Sequence, residues 1–454
     1  MNVPLFFSVL VVLGVVYIWL GQYASKNVRT GEDYFLMGRG LSFWPLFLTL
    51  LATQLGGGAL IGASQEAYDK GWMVLFYPLG VSLGLFALAS GFGAKLRRLN
   101  IGTIAEVFEV VYGSRGQRRL ASTLSIVTMF MILVAQGISA RWFFAALGFE
   151  SPVYFIAFWA LLVTYTVMGG LKAVVYTDAL QAVFILAVLA LAMVSARIPD
   201  QPEIASIEAV SLPTIPWTLW LLMPLLFMLI EQDMGQRCFA AKSPRVIAQS
   251  AIAAGVVLLL SSAVAIYFGV KAREAGLVPN GSSSILLTAV SAFTSPTVAT
   301  LFMVALFLAV ISTADSLLCC ISSNLACDFF LNTGQKENTG IRRAQLLTFL
   351  TGLAALLLAF FLDQVVPVLM FAYELSVCVL FVPTVVAVCV NAPSRNGGYL
   401  SMGCGFLGFL LFKVFDPYLP SEVAAVLLSC LGYVLGRLLP ISISARNSGL
   451  EVRS

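Results

Sequence analysis

The chain contains no histidine, and only 11% of its 454 residues are charged. Without histidine the commonest ligand for zinc and haem is missing, and no Cys-x-x-Cys pair stands in for it. Neither a nucleophile elbow nor a phosphate loop occurs, so an enzyme is not expected. Long polar stretches are absent too. The longest candidate loops, around 22–40, 95–117 and 196–214, are too short to fold on their own. The opening apolar stretch, Pro4 to Gly21, lacks the basic flank and cleavage site of a signal peptide and reads as an uncleaved helix. All eight cysteines fall in apolar stretches or near one face, which predicts packing rather than disulfides.

What the chain has instead is hydrophobicity: 60% of its residues, with a mean hydropathy of +0.95. Its apolar runs are helix-length and not the short alternating segments of a barrel. The reading is an all-α polytopic membrane protein with about 13 transmembrane helices. They are expected near 4–21, 42–66, 72–94, 118–147, 152–168, 172–195, 215–237, 246–270, 298–328, 341–362, 366–391, 397–415 and 422–440. Lys and Arg set the orientation. With the N-terminus outside, all basic residues except Lys70, Arg141, Arg197, Lys271, Arg273 and Lys413 fall in inner loops. The C-terminus is then cytoplasmic, and the +4 net charge reports topology, so no nucleic-acid partner is implied. A sequon, Asn280-Gly281-Ser282, sits in a short outer loop, 271–297.

Gly56-Gly57-Gly58 interrupts the apolar stretch from Leu41 to Ser64. Glycine is a poor helix interior, and unwound backbone at membrane depth survives only inside protein or beside a wet cavity. Such breaks present carbonyls and helix ends to ions and solutes. Close helix packing is the alternative use of small residues. Three in a row, next to the polar Gln54, exceed what packing needs.

Ionisable residues inside spans are costly and mark candidate sites. In span 298–328, Ser312, Asp315 and Ser316 share a helix face, with Thr313 beside Ser316. Hydroxyl and carboxylate oxygens so grouped suit a hard monovalent cation, although Ser and Thr also bond back to their own helix. Asp178 lies within span 172–195, and Glu231-Gln232-Asp233 at the inner end of span 215–237, either a site or an interfacial patch near Arg237. Glu374 lies within span 366–391, and Gln65, Glu66 and Asp69 mark the outer mouth of the broken helix. Acidic groups outnumber basic ones at membrane depth, which favours cations.

The motifs at these positions resemble the sodium/solute symporter family along nearly the whole chain. They are Gly31-Glu32-Asp33-Tyr34-Phe35-Leu36-Met37-Gly38-Arg39-Gly40, Ala52-Thr53-Gln54-Leu55-Gly56-Gly57-Gly58, and Gly169-Gly170-Leu171-Lys172-Ala173-Val174-Val175-Tyr176-Thr177-Asp178. Two more follow, Gln236-Arg237-Cys238-Phe239-Ala240-Ala241-Lys242-Ser243 and Ala309-Val310-Ile311-Ser312-Thr313-Ala314-Asp315-Ser316. The resemblance implies a LeuT-type core of two inverted five-helix repeats, 42–195 and 215–391. One extra helix and loop (1–41) would precede it, and two helices and a cytoplasmic tail (397–454) would follow. It implies a sodium ion held by the carbonyls of Ala52, Leu55 and Ala309 and the hydroxyls of Ser312 and Thr313. Asp178 matches a second, transient cation site, and Asp315 is a further candidate. A proton in place of sodium is the alternative coupling ion.

The solute site departs from the branches it most resembles. Leu-Gly-Gly-Gly and Ser-Thr-Ala-Asp-Ser are similar to the choline-transporter branch, whose aromatic cage is here replaced by Gln54 and Glu231. The tyrosine gate of sugar carriers gives way to Asp233. With Gly56, Gly57, Gly58, Gln65 and Glu374, these residues form an acidic solute site suited to a small polar, amine-bearing solute. The implied function is sodium-coupled symport in the cell membrane by alternating access. A solute sensor working through a separate signalling partner, or a passive cation channel, are the alternatives.

Overall fold

Backbone groups in a bilayer have no water to bond, so the chain satisfies them within helices. The computed structural model describes residues 2–26, 28–149, 151–197, 217–278, 284–330, 337–362, 366–415 and 419–439. The sequon at Asn280 and the tail beyond 439 lie outside these residues. Helix α1 (Val3–Ser25) exposes Val11, Val12, Val15 and Trp19, as a lipid-facing helix does. The short α2 (Gly31–Leu36) is held by a capping box between Thr30 and Asp33. Then come α3 (Phe43–Gln54), a π-helical turn at Gly58–Gly62, α4 (Ala63–Lys70), α5 (Phe76–Ala87) and α6 (Gly93–Arg98). Next are α7 (Glu106–Tyr112), α8 (Arg115–Ala146) and α9 (Pro152–Ser195). After these the chain forms α10 (Trp217–Ile230), α11 (Gln232–Ala240), α12 (Pro244–Glu274), α13 (Ile285–Phe293) and α14 (Pro296–Leu325). The last helices are α15 (Glu337–Phe361), α16 (Val366–Ser376), α17 (Val382–Cys389), α18 (Arg395–Val414) and α19 (Ser421–Leu438). Among the described residues, extended pairing is limited to one bridge, Leu41 to Ala241.

Among the described residues, ten continuous helical stretches are long and apolar enough to cross a membrane, or eleven when the bent α10–α11 pair is one span. The sequence reading of about 13 is larger because two stretches exceed one crossing. Gly58–Arg98 runs 41 residues. Helix α9 runs 44 residues, about 66 Å of helix against about 30 Å of hydrocarbon. Its break falls at Gly170, at φ +55, where a Cβ would stand 2.4 Å from the Tyr34 carbonyl oxygen. That conformation and that approach both require glycine. The helices α2, α7 and α13 lie in stretches that periodicity assigns to loops.

Two packed groups surround the site. In one, α12 packs on α3, α4 and α5, and α10 packs on α5; in the other, α14 packs on α8, α9 and α15. The central element is α14: 83% of its membrane-length window is buried, against 17% for α1. A helix apolar all round and buried all round carries polar groups only where neighbours satisfy them. At one end of α14, Arg118 joins Asp328 (2.8 Å), Glu109 (2.7 Å) and Glu106 (3.0 Å). Partial burial opposes the charge of Glu109, but hydrogen bonds from Arg115 and Arg118 outweigh it and hold the carboxyl below its ordinary range.

Candidate functional site

The glycine run does break its helix. Helix α3 ends at Gln54, Leu55 leaves helical geometry at ψ 38, and the backbone resumes in the π-helical turn from Gly58. A second break, unforeseen in the sequence, lies at Glu231 between α10 and α11. Its ψ of 127 bends the pair by 45°. The sequence reading placed Glu231 and Asp233 at the inner end of an unbroken span. The structure corrects this: the span continues as α11, and both residues are buried at the break.

The two breaks face one cavity of about 40 Å³. From the first come Gln54, Gly56 and Gly58, and from the second Glu231 and Asp233. Gly57, Gln65 and Glu374 are not among its lining residues. Glu374 instead pairs with Lys413 at 2.8 Å, beside Glu422. Three contributors had no sequence signal: Tyr77, Gln136 and Tyr373, isolated polar groups in apolar spans. The hydroxyls of Tyr77 and Tyr373 face each other.

Below the first break, the hydroxyls of α14 meet the carboxyl end of α3. Ser312 Oγ donates to the Ala52 carbonyl at 2.9 Å and to the Ala309 carbonyl at 3.1 Å. Thr313 Oγ1 donates to the Thr53 and Ala309 carbonyls, both at 3.2 Å. Leu55, which caps α3, is fully buried alongside. A Cβ on Gly56 would stand 2.4 Å from Thr313 Oγ1, so glycine is what lets the hydroxyl reach the backbone. Carbonyls at a helix C-terminus carry the negative end of its dipole. This donor set of neutral oxygens fits a hard monovalent cation.

The remaining polar groups of α14 divide. Ser316 turns to Arg237, at 2.7 Å. Asp315 turns to α9, accepting from Tyr165 at 2.5 Å and from Thr177 at 3.4 Å. The structure thus gives Ser312, Asp315 and Ser316, which the sequence grouped on one face, partners on different helices. Arg237, counted as an inner-loop cation in the sequence, is fully buried. Its guanidinium donates to Thr49 (2.9 Å), Thr53 (2.5 Å) and Asp178 (3.2 Å), and it pairs with Asp233. Thr49 also donates to Asp178 at 2.5 Å. Asp178 therefore already faces a cation of the protein's own.

Comparison with known proteins gives a consistent picture. The model of the sodium:solute symporter family matches residues 34–393. Similar proteins include solute carrier family 5 member 4 of Rattus norvegicus, 28% identical over 41% of this chain and 28% of that one. The sodium/mannose cotransporter of Bos taurus is 29% identical over 41% and 30%. The sodium/myo-inositol cotransporter 2 of Mus musculus is 29% identical over 40% and 28%. These matches span less than a third of each relative's length. Among solved structures, a substrate-bound, outward-open Na+-coupled sialic acid symporter superposes with a TM-score of 0.79 at 18% identity. It covers 96% of this chain and 98% of the other. A nucleobase-cation-symport-1 family transporter gives 0.63 at 13% identity, over 89% and 93%. At these identities the likeness is one of fold, the LeuT-type helical arrangement.

Proposed function

We propose, for a chain that belongs to the sodium:solute symporter family and so to transporters rather than enzymes, sodium-coupled symport by alternating access. The observation that carries this reading is the meeting of two broken helices on one cavity, with the carboxyl end of α3 laid against Ser312 and Thr313. Ala52, Leu55, Ala309, Ser312 and Thr313 would hold the sodium ion. Gln54, Gly56, Gly58, Glu231 and Asp233 would hold a small polar, amine-bearing solute. Residues 42–195 and 215–391 would be the two inverted repeats, in a cell membrane with the N-terminus outside.

Coupling follows from position. Sodium would tie α3 to α14, and the same stretch of α3 leads directly into the solute cavity through Gln54 and Gly56. Binding shifts the equilibrium only so far as affinity differs between outward- and inward-facing states. An ion that fastens α3 to α14 meets that condition, because alternating access moves such helices apart.

The test is uptake by proteoliposomes under an inward sodium gradient, with potassium as control. Solute should accumulate above equilibrium in sodium only. Thr313→Ala should weaken sodium dependence more than it alters solute preference. Equal uptake in potassium, or flux that never exceeds equilibrium, would overturn the reading.

A further inference from the structure

The solute cavity has a second compartment. An outer cavity of about 210 Å³ is lined by Val74, Leu219, Trp220 and Pro224, and it shares Gly58, Tyr77 and Tyr373 with the inner one. The two compartments therefore meet at a wall made by one glycine and two tyrosines. Their chemistry is opposite. The inner one holds Gln136 Oε1, Glu231 Oε2 and Asp233 Oδ2, all buried and all without a hydrogen-bond partner among the described residues. Each of these atoms is an acceptor. Asp233 has its other oxygen on Arg237, whereas no ion pair to Glu231 is found among the described residues. Gln54 hydrogen-bonds the Glu231 carboxylate, but a buried carboxylate with no ion-pair partner is costly until a cation reaches it. The outer compartment is largely apolar. Its two charges neutralise each other, Lys70 pairing with Glu66 at 2.6 Å while lying 4.7 Å from the centre of the Trp220 ring.

Building on the symport reading above, we propose that the solute is an amphipathic organic monocation. Its primary ammonium or guanidinium head sits on Glu231 and Gln136 in the inner compartment. Its apolar body passes Tyr77 and Tyr373 to lie against Trp220. Three unpartnered acceptors call for N–H donors, which a quaternary ammonium lacks. A neutral polyol would leave Glu231 uncompensated. A carboxylate on the body would find Lys70 already paired. The inner volume, room for roughly three waters, matches a charged head and not a whole solute.

The test uses the full-length purified chain in sodium, with thermal stabilisation as readout and four probes: methylammonium, n-pentylammonium, N,N,N-trimethylpentylammonium and myo-inositol. Each of the four added methylenes should raise affinity roughly fourfold, so n-pentylammonium should bind roughly 250-fold more tightly than methylammonium. The trimethyl compound should bind at least about tenfold more weakly than n-pentylammonium. Trp220→Ala should remove most of the chain-length gain and leave methylammonium unchanged. Glu231→Gln should abolish the response to both primary amines. Equal affinity for the two primary amines, or a trimethyl compound as good as n-pentylammonium, overturns the proposal while leaving sodium symport standing. A response to myo-inositol alone does the same. Absence of stabilisation by sodium itself overturns the symport reading and this proposal with it.

Discussion

Arg237→Ala is expected to destabilise the protein by on the order of 3–5 kcal/mol, enough to lose most of the monodisperse material. The cause is what the guanidinium leaves behind. Asp178 and Asp233 are both fully buried, and Arg237 pairs with each. Removing it strands two buried carboxylates without their counter-charge, next to the hydroxyls of Thr49, Thr53 and Ser316. Arg237→Lys should rescue little. A single ammonium cannot span oxygens contributed by α3, α9, α11 and α14 at once, whereas the planar fork of arginine can. Thermal unfolding of the detergent-solubilised variants measures both effects. A midpoint for Arg237→Ala within a degree or two of wild type would contradict the assignment of Arg237 as the charge that holds these four helices together.

Gly56→Ala is expected to weaken sodium affinity by one to two orders of magnitude, with fold and expression retained. The added methyl would stand 2.4 Å from Thr313 Oγ1, so the threonine or the end of α3 must shift. Overpacking of this kind costs about 1–3 kcal/mol, and here the cost falls on the hydroxyl and carbonyls proposed to hold the ion. Gly57 makes a control: its Cβ would lie 3.6 Å from Val310, ordinary contact, so Gly57→Ala should change sodium affinity far less. Sodium titrations of transport or of stability compare the two. Equal effects at both positions would show that the glycines matter for backbone freedom alone.

The first break was legible because glycine announces itself: three in an apolar run have few other uses. The second was not. Glu231 adopts φ −66 and ψ 127, backbone that any residue takes, so nothing in its local sequence separates a break from a span end. Arg237 misled for a related reason. A basic residue near the end of an apolar run reads as an inner loop, and only the fold brings Asp178 from α9 and Thr49 from α3 to meet it. Helical periodicity placed Ser312, Asp315 and Ser316 together, which is true of the helix face. Their partners nevertheless lie on three different helices, α3, α9 and α11. Tyr77, Gln136 and Tyr373 carried no signal, because a lone polar group in an apolar helix usually serves packing. The alternation of long apolar runs with basic loops, by contrast, made the membrane class plain.

Sodium binding at Ala52, Ser312 and Thr313 is tested most directly by thermal stability of the purified protein in sodium, lithium and potassium at equal ionic strength. A ligand that binds only the native state adds about 2.7 kcal/mol of stability at a hundred times its dissociation constant. Sodium should raise the unfolding midpoint of wild type above that in potassium, and Ser312→Ala should lose that difference, read against the variant's own midpoint in potassium. Identical midpoints in sodium and potassium, or a Ser312→Ala variant that keeps the full sodium shift, would contradict an ion site between α3 and α14.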